Sequence, residues 1–187
     1  MSTDQSTTEQ KTGERKLLKH FLAAIAYRTQ KVLRGAPESF ARFSAGNNVR
    51  TPHELLWHMT GLLGYALTFF RGGVWLPEKL DSFAAELARF HQMLEDFGEA
   101  VEQETPTREI SMEQLLQGPL ADAMTHVGQL ALLRRLAGSP VAPENFVRAL
   151  IAADNLGEKQ ADPVAPDPGW SPDLPPPAPG KNLPKDW

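Results

Sequence analysis

Two side chains that can bind a metal ion lie four residues apart in the segment PLADAMTHVGQL, which spans residues 119–130. Because residues i and i+4 share one face of a helix, Asp122 and His126 would stack on each other. The apolar spacing around them predicts a helix that packs on a core. A buried carboxylate in such a place must be protonated, paired or metal-bound. The pair therefore indicates either a divalent metal site or a structural couple in which the carboxylate fixes the imidazole tautomer.

A third candidate ligand, His58, lies on the apolar face of an earlier predicted helix, beside Leu55 and Leu62. Two imidazoles and one carboxylate from two helices can converge on one ion. Three protein ligands that leave a position to water are typical of a catalytic metal site rather than a closed structural one. A histidine on an apolar face is also found as a hydrogen-bonded core residue, so both readings stay open at this point. His91 flanks the apolar seam of the next helix and is either a surface residue or a further group that reaches the site.

The amino-acid composition limits the metal ligands, nucleophiles and partners that the protein can use. The chain has no cysteine, so any metal must be held by His, Asp or Glu, and any thiol nucleophile must come from a cosubstrate. The net charge of -4, without a cluster of Lys and Arg, argues against nucleic acid as a partner. The polar N-terminal stretch and the short apolar runs predict neither a signal peptide nor a membrane span. We therefore expect a cytoplasmic protein with no membrane partner.

Helical periodicity predicts four segments that must position these groups. Capping residues and breakers bound them: Thr51 with Glu54, Ser111 with Gln114, and a kink at Gly118-Pro119. The segments run over about 14–34, from 51 to about 72, from 82 to Pro106, and over 111–138. With no alternating strand pattern, they predict an all-α fold, a four-helix bundle of antiparallel type.

Three regions follow from the same pattern. Residues 1–12 are polar and are predicted to be disordered, residues 13–156 to form the helical bundle domain, and residues 157–187 to form a proline-rich extended C-terminal arm. Within the domain, a short helical piece is expected around Glu144 to Ile151.

Two motifs carry a resemblance. HELLWHMTG at 53–61, followed by HVGQLALLRRLAG at 126–138, resembles the DinB/YfiT-like family of metal-dependent four-helix bundles, which has a His-x-Gly-Gln segment in its last bundle helix. The resemblance covers roughly residues 14–138. It implies ligands at His58, at position 122 and at His126. This chain has Asp122 where the family usually has histidine, which leaves a site with an altered metal preference, a weakened site or a site that has lost its metal.

The same motif contains Gly128 and Gln129. We expect Gly128 to allow a close approach of a neighbouring element. Gln129 is either a group that supports a metal ligand or a polar residue at the edge of the bundle. The resemblance further implies a homodimer and a divalent ion, with zinc or nickel preferred over iron or manganese.

The function expected from this resemblance is a metal-dependent enzyme acting on a small-molecule substrate. The leading hypothesis is a transferase that uses a low-molecular-weight thiol, and metal-assisted hydrolysis comes second. The catalytic residues are not identified by the sequence. The alternative is a non-enzymatic, stress-associated binding or dimerisation bundle with a degenerate metal site.

Overall fold

A computed structural model describes residues 3–103, 107–108 and 110–173 of the chain. Within them the regular elements are helices: α1 (Thr3–Leu33), α2 (Pro52–Arg71), α3 (Phe83–Glu102), α4 (Met112–Leu115) and α5 (Ala121–Leu136), with a short 3-10 turn at Glu38–Arg42. One π-helical turn, Leu116–Leu120, joins α4 to α5 into a fourth, kinked rod. The all-α prediction is confirmed for these residues. The predicted stop at Pro106 and residues 174–187 of the predicted arm lie outside them.

The helix starts follow the predicted capping chemistry. At α2, the Thr51 side chain accepts a hydrogen bond from the Glu54 amide, and the Glu54 carboxylate accepts one from the Thr51 amide. Ser111 and Gln114 form the same reciprocal pair at α4. Each box satisfies two backbone donors that the first turn of a helix leaves free.

The predicted disorder of residues 1–12 is wrong for the part that is described, because α1 already begins at Thr3. Nothing in this stretch breaks a helix until Gly13, and glutamine, glutamate and lysine all have good helix propensity. The Gln10 amide also donates to the Glu14 carboxylate at 3.0 Å, one helical turn along. Such i, i+4 pairs stabilise a helix through its own side chains.

The kink predicted at Gly118-Pro119 is confirmed. Gly118 leaves the helical region with φ -91° and ψ -105°, and Pro119 lies within the π-helical turn. Proline has no amide hydrogen and its ring clashes with the preceding turn, so the backbone cannot pass through as a regular helix. The break lies directly before Asp122 and sets the direction in which α5 continues.

Contacts between the rods define their directions. Gln30 on α1 meets His91 on α3, while Lys19 pairs with Glu102, so these two rods are antiparallel. In contrast, His53 packs on Phe83 and Phe70 on Phe97, so α2 and α3 run parallel.

The fourth rod completes a closed ring of contacts. His58 meets His126, and Leu55 and Leu133 line one groove, so α2 and α5 are antiparallel. The predicted antiparallel bundle is thus only half right, because α1 then runs parallel to α5, against which it also packs. The four rods enclose a single apolar core whose fully buried members include Leu22, Leu56, Phe90, Phe97 and Leu130. In the described part of the chain, no helix has the length and apolar character needed to cross a membrane.

A parallel pair requires a return segment, and residues 72–82 provide it. Gly72 and Gly73 have positive φ values of 76° and 85°, which allows the chain to reverse at the end of α2. The segment then runs back along α2, with the Trp75 indole against Gly64 and the Trp57 indole donating to the Pro77 carbonyl at 3.1 Å. In extended form it reaches about 36 Å, which is enough to follow a 20-residue helix of about 30 Å.

We expect Gly64→Ala to loosen this return segment. A Cβ at position 64 would lie 2.2 Å from the Trp75 indole, so the ring or the segment must shift. Overpacking of this kind costs about 1–3 kcal/mol of unfolding free energy. Urea unfolding would measure it, with Gly61→Ala on the same helix as the matched control. At Gly61 an added Cβ meets nothing within 4 Å, so that variant should be as stable as wild type or more stable. Equal stability of the two variants would contradict the expectation.

The segment after α5 lies on the domain without helical structure through residue 173. The short helix expected around Glu144 to Ile151 is absent; this stretch forms turns and a single bridge between Glu144 and Pro166. Arg34 fastens the segment by an ion pair to Asp162 at 2.7 Å and a hydrogen bond to the Gln160 carbonyl.

Candidate metal centre

The three predicted ligands meet between α2 and α5. One ligand atom from each of His58, Asp122 and His126 lies within 4.8 Å of the other two. The imidazole rings of the two histidines are 4.8 Å apart between centroids and stand nearly perpendicular, at 76°. Two nitrogens or oxygens that share one tetrahedral zinc lie about 3.4 Å apart. A modest rotation of the side chains would therefore bring all three to one ion.

The tautomer of His126 makes this convergence informative. Its Nδ1 lies 2.9 Å from Gln129 Oε1, and because an amide oxygen only accepts, Nδ1 must carry the proton. Neutral His126 then has its lone pair on Nε2. That atom is buried and has no hydrogen-bond partner among the described residues, although Asp122 Oδ1 is only 3.1 Å away. The carboxylate oxygen thus lies close to Nε2 but off the direction in which a proton there would point.

An imidazole lone pair and a carboxylate oxygen at this distance repel each other unless a positive charge lies near both. A metal ion in the space that they share with His58 supplies that charge and uses both acceptors. The side chain of His126 is only 8% exposed whereas that of Asp122 is 46% exposed, so the carboxylate forms the open rim of the site. The residues present therefore fit a divalent ion with solvent access on the Asp122 side.

Charge and burial keep His58 neutral. Burial lowers the pKa of His58, and the nearby Arg50 and His126 lower it further, while Asp122 acts in the opposite direction. A histidine with a lowered pKa has its lone pair free at neutral pH, which is the form that coordinates metal. The electrostatics thus favour coordination at His58.

Two grooves flank the three side chains. The first, which we call the indole groove, has a volume of about 340 Å³ and is lined by Trp57, His58, Gly61, Trp75, Leu76 and Pro77. The second, the Arg50 groove, has a volume of about 520 Å³ and is lined by Asn48, Val49, Arg50, Leu55, Gln129, Leu132 and Leu133. One contains a candidate ligand and the other the partner of a ligand, so molecules in either groove would lie beside the site.

His91 does not belong to this centre, which corrects the expectation that it could assist there. It is buried between α3 and α1, where Nδ1 donates to the Leu156 carbonyl at 2.7 Å and Nε2 lies 3.1 Å from the Gln30 amide nitrogen. Both ring nitrogens are therefore used in structural contacts. Burial lowers the pKa of His91 and keeps the ring neutral.

The predictions for Gln129 and Gly128, the other two residues of the His-x-Gly-Gln segment, have different outcomes. Gln129 contacts His126 directly, as a group that supports a ligand would do. Gly128 allows no close approach, because an added Cβ would meet nothing within 4 Å; the expectation for it is wrong.

Sequence reasoning missed Arg50, which makes no hydrogen bond or ion pair to the described residues and lines the larger groove. The sequence feature that could have drawn attention to Arg50 is its position just before Thr51, the capping residue of α2.

No protein-family model, curated protein or solved structure matches the chain. The assignment of the site therefore depends on its own geometry.

Proposed function

We propose that the protein is a divalent-metal-dependent enzyme of the DinB/YfiT-like type that transfers a group onto a low-molecular-weight thiol. The observation that carries the proposal is Nε2 of His126, which is buried and has no hydrogen-bond partner among the described residues. It lies 3.1 Å from Asp122 Oδ1 and shares its space with His58. Zinc or nickel suits this mixed set of nitrogen and oxygen ligands, and iron or manganese is compatible with it. A homodimer and a cytoplasmic location are further parts of the same proposal.

Each side chain has a role in this scheme. His58 and His126 would bind the ion as neutral imidazoles, and Asp122 would offset part of its charge. Gln129 would hold the proton of His126 on Nδ1, so that Nε2 stays available. When bound, the ion would lower the pKa of a thiol or water in its open position.

The grooves support a reaction between two small molecules. The chain has no cysteine, so the nucleophilic sulfur must come from a cosubstrate. The guanidinium of Arg50 can bind an anionic group of one substrate, since it has no other hydrogen-bonding partner in the described residues. The indole groove can bind an apolar portion of the other substrate against Trp57 and Trp75.

A second candidate function is a non-enzymatic binding or dimerisation bundle. The 3.1 Å contact between His126 Nε2 and Asp122 Oδ1 supports this alternative, because the two side chains could form an ion pair that needs no metal. In that case the site is a structural couple and the grooves bind a partner rather than substrates.

Elemental analysis separates the two. Full-length protein without a histidine tag would be incubated with zinc or nickel, passed through a desalting column and assayed for metal. We expect about one ion per chain, and a metal-free protein would overturn the proposal. Metal-loaded and chelated protein would then be incubated with electrophiles and several thiols. Turnover that requires both thiol and metal supports the transferase, whereas bound metal without turnover across the panel favours the binding bundle.

A further inference from the structure

Another cleft, separate from the indole groove and the Arg50 groove, lies between α1, α5 and residues 141–146. It is on the opposite side of α5 from the candidate metal centre. Its volume is about 230 Å³. Met124, Val127, Gly128 and Ala131 supply the α5 wall, at the i, i+3, i+4 and i+7 spacing of one helix face. Asp122, His126 and Gln129 occupy the other face, so the cleft is separate from the candidate metal centre.

The cleft contains a buried carboxylate with an unused oxygen. Glu144 is 4% exposed, and its Oε1 accepts a hydrogen bond from the Tyr27 hydroxyl at 2.8 Å. Its other oxygen, Oε2, is buried and has no partner among the described residues. Burial and the nearby Glu144 raise the pKa of Tyr27, which keeps the phenol protonated and donating. A buried carboxylate oxygen without a donor is costly, so a ligand that brings an N–H group is stabilised there.

Two cations line the same cleft. The Arg28 guanidinium lies 3.7 Å above the centre of the Phe146 ring and makes no hydrogen bond or ion pair to a described residue. The Lys31 ammonium already donates to the Ala142 carbonyl at 2.5 Å. Counted formally, Arg28 and Lys31 against Glu144 give the cleft an excess of one positive charge. A simple amine would add to that charge, whereas a zwitterion would not, and its carboxylate could pair with Arg28.

We propose that this cleft binds a free α-amino acid with an aliphatic side chain. Its ammonium group donates to Glu144 Oε2, its carboxylate accepts from Arg28, and its side chain packs on the α5 wall at Val127 and Ala131. The site is independent of metal, so it stands or falls separately from the proposed enzyme.

The test uses the full-length, metal-free chain and isothermal titration with L-leucine. We expect saturable binding with Kd of about 1 mM or tighter. Two probes that each lack one charged group, 3-methylbutylamine and 4-methylpentanoate, should bind at least about tenfold more weakly. The absence of saturable leucine binding up to about 10 mM would overturn the proposal. Equally tight binding of either probe would exclude an amino acid as the ligand.

Two variants locate the site. Glu144→Gln removes the charge that the ammonium needs, and Gly128→Leu places a side chain in open space within the cleft. Each should weaken leucine binding at least about tenfold. Gly128→Leu should melt no lower than wild type, because leucine is a far better helix residue than glycine, so lost binding could not be ascribed to unfolding. Unchanged binding in the Gly128→Leu variant would overturn the proposal.

Discussion

Replacing Arg134 with methionine is expected to lower the free energy of unfolding by about 3–5 kcal/mol. Arg134 is 4% exposed, and its guanidinium donates to the carbonyls of Val32, Arg34 and Gly35 at the end of α1 and to Ser139 after α5. Methionine has a side chain of similar length but leaves the buried Val32 carbonyl and the partly buried carbonyls of Arg34, Gly35 and Ser139 without these donors. Lysine keeps the charge but has no planar fork, so Arg134→Lys should lose a large part of the same stability.

Arg135 provides the matched control, because it lies in the same last turn of α5, is exposed and makes no hydrogen bond within the described residues. Arg135→Met should change stability by less than about 0.5 kcal/mol. Guanidinium chloride unfolding followed by circular dichroism measures all three variants. Similar midpoints for Arg134→Met and Arg135→Met would show that the guanidinium does not hold the two helix ends together.

His126→Ala is expected to weaken divalent metal binding by more than about 100-fold, beyond the effect that loss of a supporting residue produces. The reason is that Nε2 of His126 is the one candidate ligand atom that is both buried and already set in its tautomer. Asp122→Asn should also weaken binding, because it removes the negative charge at the rim while keeping the shape of the side chain. Competition with a zinc-sensitive dye would give the dissociation constants.

His20→Ala is the control for nonspecific loss of a histidine, since His20 is exposed on α1 and lies outside the group of three. It should bind zinc as wild type does. If His126→Ala and wild type bind with the same affinity, the ion lies elsewhere on the chain and the centre is a structural Asp–His couple.

Features that depend on neighbours within one turn were predictable from sequence. The capping pairs at Thr51 and Ser111 join a side chain to a backbone group three residues away, so their chemistry is local. The kink before α5 follows from the covalent structure of proline. The stacking of Asp122 on His126 follows from the helical repeat. To predict that His58 lies beside this pair, one further assumption was needed, namely that the apolar face of α2 packs on that of α5.

Features that depend on which rods become neighbours were not predictable in this way. Periodicity identifies the buried face of a helix but neither its partner nor its direction, which is why the parallel pair α2 and α3 was not foreseen. His91 shows the same limit, since its position beside the seam fits equally with the surface, the site and the α1 interface where it lies. The Glu144 cleft was missed because residues 139–173 have no repeat, and Tyr27 and Glu144 are 117 positions apart.

The order of the rods has a consequence for how the chain can fold as it leaves the ribosome. Consecutive long helices here do not form antiparallel hairpins: α1 packs on α3 and α5, and α2 meets α3 only as a parallel neighbour. An early segment that contains α1 and α2 therefore cannot cover its own apolar faces. We infer that productive collapse waits until α5 has been synthesised.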